Sequence, residues 1–198
     1  MFNAYFDFSG KTLCGVAFDH KLRSGDRLCV RGDNGSGKTS LLCALAGLSN
    51  HPDQPNILRK TQGDLRAESH YIGHRTGIHE GLSIAEEWQF WYAIFNPHLT
   101  KASCPIAETT HHVGLDIPVE RKISTLSAGQ KQKVALARLF LSPRPIWLLD
   151  EPDHHLDQTS REMLENWLRQ HCQKGGIVID TSHFLPNFGA VFSVQGED

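Results

Sequence analysis

The chain has no surplus of either charge: 20 lysines and arginines stand against 22 aspartates and glutamates, a formal net charge of −2 over 198 residues. That balance gives no footing for a nucleic-acid partner or an anionic membrane surface, so no nucleic acid is expected. The basic cluster of Arg121, Lys122, Lys131 and Lys133 reads as a solvated face. Long apolar runs are also missing. The best stretch, Val134 to Leu141, is interrupted by Arg138 and falls far short of a membrane span. The N-terminus offers no basic start followed by an apolar segment, which predicts no secretory signal. No linker-like stretch divides the chain, which predicts one domain over residues 1–198. Paired cysteines are absent: Cys14, Cys29, Cys43, Cys104 and Cys172 are odd in number, show no metal spacing and fit reduced thiols. The twelve histidines include the doublets His111-His112 and His154-His155. Neighbouring side chains diverge on a helix or strand, so packing or surface roles are expected rather than a metal.

What the chain does have is a phosphate loop. Gly32-Asp33-Asn34-Gly35-Ser36-Gly37-Lys38-Thr39 fits G-x-x-x-x-G-K-[ST] at every fixed position. The preceding Arg27-Leu28-Cys29-Val30 reads as a strand. The following Ser40 to Ala46 reads as an apolar helix, the context the motif requires. The glycines let the backbone curl so that N–H groups converge, and the helix opening near Lys38 adds the positive end of its dipole. Lys38 is expected to reach the outer phosphates of a nucleoside triphosphate. The Thr39 hydroxyl is placed to ligate Mg²⁺, with Ser40 next to it on the helix.

Ile146-Trp147-Leu148-Leu149-Asp150-Glu151-Pro152 is an apolar run ending in two carboxylates, which describes a strand buried on both faces of a parallel sheet. Ligands of such sheets collect at the carboxyl ends of strands, so Asp150 and Glu151 are expected beside the phosphate loop. Asp150 suits Mg²⁺ held through its waters, and Glu151 suits the general base that activates water in phosphoryl transfer. Gly176 to Thr181 reads as another short strand, followed by Ser182 and then His183, which could donate to the terminal phosphate. Ser127-Ala128-Gly129-Gln130 is a capping box: Ser127 caps a helix continuing through Lys131 to Leu141, and Gln130 reaches back. Gly129 there allows close backbone approach, and such a helix start is itself a possible anion site. Between Leu156 and Gly175 the spacing of Leu164, Trp167, Leu168 and His171 predicts a packed helix stopped by Gly175 and Gly176.

In their order and spacing these segments resemble the ATP-binding cassette ATPases: the phosphate loop, Leu126 to Gln130, Asp150-Glu151, Leu156-Asp157 and His183. More narrowly, Tyr71 to Ile78, Leu126 to Leu139 and Gly175 to Ile179 resemble the ATPase subunits of the cytochrome c maturation system. The resemblance implies an α/β P-loop NTPase fold with a mainly parallel sheet core, an N-terminal β subdomain and a small helical subdomain near residues 80–125. It implies ATP and Mg²⁺, and a homodimer in which each ATP lies between the phosphate loop of one copy and Ser127 to Gln130 of the other. Hydrolysis would be coupled to haem export, or to release of a haem-loaded chaperone, through integral membrane permease subunits. These would hold the ATPase on the cytoplasmic face of a bacterial inner membrane; another small transporter with a different cargo is the alternative. Coupling would run through His74 and Leu82 to Phe95, whose Trp88, Trp91, Tyr92 and Phe95 read equally as packing. The family places Gln, contributing to Mg²⁺ and water, where His74 stands. Ala128 replaces a glycine, and Asp153-His154-His155 replaces small residues. By the same resemblance, an aromatic near Phe8 would stack on adenine.

Overall fold

The computed structural model describes residues 5–7, 11–13, 16–48, 68–182 and 184–194, without the side chains of residues 5–7, 11–13 and 17. Four short strands open it. β1 (Tyr5–Asp7) pairs antiparallel with β4 (Lys21–Arg23), and β2 (Lys11–Leu13) with β3 (Val16–Phe18). The apolar runs that follow build one parallel sheet from β5 (Arg27–Arg31), β6 (Ser69–Ile72), β7 (Ile146–Asp150), β8 (Ile177–Thr181) and β9 (Ala190–Ser193), in the order β6-β7-β8-β5-β9. Every residue of β7 and β8 is buried, as expected of strands covered on both faces. Helix α1 (Lys38–Leu45) follows β5 and joins the same core, with Leu41, Leu42 and Leu45 in one cluster with Leu28, Leu148 and Ile179.

The chain divides into two compact units. The first comprises Met1–His74, Arg144–Pro152 and Leu164–Asp198 and holds all nine described strands. Among its buried charges is Arg27, which bonds Asp180 through Nε and Nη2 at 2.9 and 3.0 Å and Glu165 through Nη1 and Nη2 at 2.8 and 2.9 Å. Burial works against the charge on Arg27. The hydrogen bonds to Asp180 and Glu165 outweigh it and hold the guanidinium above its ordinary pKa.

The second unit, Arg75–Pro143 with Asp153–Met163, is helical. Helix α2 (Ile84–Phe95) starts with a capping box, Ser83 Oγ accepting from Glu86 N and Glu86 Oε2 from Ser83 N. α3 (Ile106–Val113) ends on Gly114 at φ 57°, and α4 (Ala128–Leu136) and α5 (Arg138–Leu141) follow. One helix from Lys131 to Leu141 was expected; the structure breaks it at Ala137, where Phe140 N bonds the Ala137 carbonyl three residues back. Trp88 and Tyr92 are buried, and Trp88 Nε1 donates to the Val134 carbonyl at 3.1 Å. Glu87, fully buried, is the hub. Oε1 accepts from Trp91 Nε1 and Arg138 Nη2, while Oε2 accepts from the His79 backbone N–H and lies 2.9 Å from His79 Nδ1. Burial lowers the pKa of Arg138 to about 10 against the opposing pull of Glu87, and its guanidinium sits 4.0 Å from the Trp91 ring centroid.

α6 (Gln158–Gln173) begins at Asp157, whose Oδ1 accepts from Ser160 N at 2.8 Å. Its stripe packs as predicted, with Leu164, Trp167 and Leu168 buried. His171 stacks on Trp147 with centroids 3.8 Å apart and donates Nε2–H to the Pro145 carbonyl. Burial pushes the His171 pKa down to about 4. No described helix is long and apolar enough to cross a membrane.

Candidate functional site

The phosphate loop runs from the end of β5 into α1, and its shape depends on glycine. Gly32, Gly35 and Gly37 have φ of 152°, 84° and 93°. A Cβ on Gly32 would lie 2.5 Å from the Val194 carbonyl oxygen and 2.7 Å from Ser36 Oγ, so the cradle closes only around a bare backbone. Lys38 is buried, and its ammonium donates to the loop's own carbonyls, Gly32 O at 2.8 Å and Asp33 O at 2.7 Å. Ser36 Oγ is sealed from solvent with no hydrogen-bond partner among the described residues. A buried hydroxyl beside converging amides and a lysine fits a phosphate oxygen. Asp33 and Asn34 stand exposed on the loop, and Thr39 and Ser40 are exposed in the first turn of α1.

Asp150 and Glu151 arrive beside the start of α1 at the end of β7. Asp150 is 2 % exposed, and its two oxygens are each taken by a threonine: Oδ2 accepts from Thr39 Oγ1 and Oδ1 from Thr181 Oγ1, both at 2.8 Å. Thr39 and Asp150 thus offer two hard oxygen donors at one point, the chemistry Mg²⁺ prefers. Glu151 is held at φ 50°, in the left-handed region that a residue with a Cβ avoids. Its amide donates to Thr181 Oγ1 at 2.8 Å, and its Oε2 lies 3.3 Å from His74 Nδ1. The structure therefore sets His74, expected near the metal, against the Glu151 carboxylate. Beneath this group the Tyr71 hydroxyl meets Cys43 Sγ at 3.2 Å, and burial, aided by Cys43, raises the tyrosine pKa.

Lys38, Thr39, Asp150, Glu151 and His74 all belong to the first unit, whereas Ser127, Gly129 and Gln130 belong to the second. There the capping box forms as expected, with Gln130 N donating to Ser127 Oγ at 3.2 Å and Ser127 N to Gln130 Oε1 at 3.0 Å. The box faces a cleft of about 570 Å³ lined also by Lys133, His155 and Asp157. The close approach expected at Gly129 is made by the chain itself: a Cβ there would meet the His155 carbonyl oxygen at 2.8 Å, and His155 has φ 63°. Phe8 and His183 lie outside the described residues. Thr181 was missed by reading motifs alone. The signal that could have found it is parallel pairing, since a polar residue ending β8 falls opposite Asp150 ending β7.

The parallel sheet, the strand-loop-helix cradle and the paired carboxylates define a P-loop nucleoside triphosphatase. The family model described as ABC transporter matches residues 17–154, and the chain belongs to that family of transporter ATPases. It is 34% identical over 179 residues to the cytochrome c biogenesis ATP-binding export protein CcmA of Rhizobium johnstonii, covering 88% of this chain and 83% of that protein. To the protein of the same name from Pseudomonas fluorescens it is 41% identical over 172 residues, covering 82% and 78%. Among solved structures, the dimeric post-hydrolysis state of the ATP-binding cassette MJ0796 bound to ADP and Pi matches with a TM-score of 0.74. That match covers 99% of this chain and 94% of the other at 18% identity. A putative ABC transporter ATP-binding protein from Pyrococcus furiosus gives 0.73 over 97% and 96% at 17% identity. These two likenesses concern the fold alone, and they agree with the fold class expected from the motifs.

Proposed function

We propose that the chain is the ATP-hydrolysing subunit of a membrane complex for cytochrome c biogenesis, coupling ATP hydrolysis to haem export or to release of a haem-loaded chaperone. The observation that carries the hydrolytic part is the unbroken series Thr39, Asp150, Thr181, Glu151 beside the phosphate loop. The biogenesis role rests on the relatives named above, which span most of this chain.

In this reading Gly32 to Ser40 bind the triphosphate, and Lys38 leaves its loop carbonyls to meet the outer phosphates. Thr39 and Asp150 would hold Mg²⁺, which when bound offsets charge on the phosphate oxygens. Glu151 orients the attacking water and takes its proton as the water oxygen bonds to the terminal phosphorus and the bond to ADP breaks. His183 would steady the terminal phosphate, and Phe8 would stack on adenine. The second half of the pocket is Ser127, Gly129 and Gln130 of another copy, so the active form is a head-to-tail homodimer. One cassette then comprises both units of residues 1–198, held by integral membrane permease subunits on the cytoplasmic face of the inner membrane. The exposed Phe90 and Ile94 on α2 support a protein contact there.

The test is Glu151→Gln in the purified protein. It should bind ATP and accumulate as a dimer by light scattering while turnover falls by roughly a hundredfold to ten thousandfold, the range for a lost general base. Hydrolysis at the wild-type rate would remove Glu151 from that role. Gentle solubilisation should recover haem-handling membrane proteins with the chain; an unrelated permease instead would assign it another cargo.

A further inference from the structure

Thr181 joins two residues that hydrolysis uses for different purposes. It is fully buried at the carboxyl end of β8, in register with Asp150 at the end of β7. Its hydroxyl has one proton and lone pairs to spare. The amide N–H of Glu151 can only donate, so it takes a lone pair, and the proton goes to Asp150 Oδ1; both bonds are 2.8 Å long. With Thr39 on Oδ2, the Asp150 carboxylate is bonded at both oxygens and has one permitted rotation.

The bond to the Glu151 amide matters for a second reason. A glutamate at φ 50° persists only where its surroundings over-determine the backbone, and an N–H held by a fully buried hydroxyl is such a restraint. The direction in which the base leaves the chain is therefore tied, through one oxygen, to the orientation of the metal-side carboxylate. A threonine that merely ended a strand would need only one partner. Here it has two, and they are the two carboxylate residues.

We propose that Thr181 is a positioning residue for ATP hydrolysis, its hydroxyl fixing Asp150 and the backbone of Glu151 relative to each other. This rests on the hydrolytic reading above. Thr181→Val keeps the shape and removes the hydroxyl. In the complex isolated from membranes it should lower kcat by roughly tenfold to a hundredfold, the worth of a hydrogen bond to a charged group. KM for ATP should stay within about threefold, because the phosphate loop is untouched. The Mg²⁺ concentration giving half the maximal rate should rise. Thr181→Ser, which restores the hydroxyl, should return kcat to within about threefold of the wild type. Thr181→Cys, similar in size but a poor hydrogen-bonding group, should follow valine and serves if the valine variant does not fold.

Thermal melts and binding of a slowly hydrolysed ATP analogue show that each variant is folded. A folded valine or cysteine variant with wild-type kcat, or a serine variant as slow as valine, overturns the role of Thr181. Wild-type complex that binds ATP but never cleaves it overturns the hydrolytic reading instead.

Discussion

Glu151 is strained where the proposed chemistry takes place, and the strain can be measured separately from the chemistry. Replacing it by Ala and by Gly removes the carboxylate, and any contribution of the 3.3 Å approach to His74, in both variants alike. What differs is the backbone at φ 50°. An L-residue in the left-handed region costs about 1–2 kcal/mol. Against that, glycine loses about 0.4–1 kcal/mol more chain entropy on folding than alanine. The balance favours Glu151→Gly over Glu151→Ala by about 1 kcal/mol, which for a chain of this size is roughly 2–4 °C in Tm. The order is the reverse of that at an ordinary position, where Ala outlasts Gly. Thermal melts and urea titrations of the two variants provide the comparison, with ATPase assays alongside. Both variants should lose turnover, the more stable one included. If Ala proves as stable as Gly, the backbone strain at the proposed base is not there.

Lys38→Ala should weaken ATP binding itself, read by calorimetry as a loss of at least about tenfold in affinity, since it removes the buried ammonium proposed to leave its loop carbonyls for the phosphates; unchanged affinity would count against the cradle. Ser127→Arg should abolish turnover while one chain still binds ATP, and a specific rate that is constant on dilution far below dimerisation would defeat the shared pocket. His171 predicts a pH dependence of stability. Its pKa of about 4 in the folded chain lies below the unfolded value of 6.5, so between those values the unfolded state binds more protons, and stability falls as the medium is acidified from about pH 6.5 to about pH 4. Urea titrations across that window should show a loss of up to about 3 kcal/mol. Thermal or chemical melts of His171→Phe, which keeps a ring against Trp147, should show a flatter profile, and an equal slope would assign the effect elsewhere.

Much of this was legible because the informative residues lie close together along the chain. A loop whose glycines, lysine and threonine sit at fixed offsets, or a cap closed over three residues, is a local pattern. The structure reproduces both at Gly32 to Thr39 and at Ser127 to Gln130. Buried strands such as β7 were equally readable, since an unbroken apolar run between prolines and carboxylates has few other solutions. Contacts across the sheet were not. Thr181 looks like any β-branched strand residue until β7 and β8 are laid side by side. Nor was the packing at Gly129, because the His155 carbonyl that meets it comes from a segment 26 residues away. Arg138 fell within an apolar helix in sequence, and only folding shows that Glu87, Trp91 and the Thr76 carbonyl receive it.

The cradle also has a distant neighbour. Val194, just past β9, donates its N–H to the Arg31 carbonyl at 2.7 Å, and its own oxygen is the atom that a side chain on Gly32 would strike. The nucleotide motif is therefore walled in by the strand that comes last in sequence among those described. A chain cut short before Ala190 would carry every letter of the motif and still lack one wall of its pocket, so the eight residues of the loop do not by themselves make a place for nucleotide.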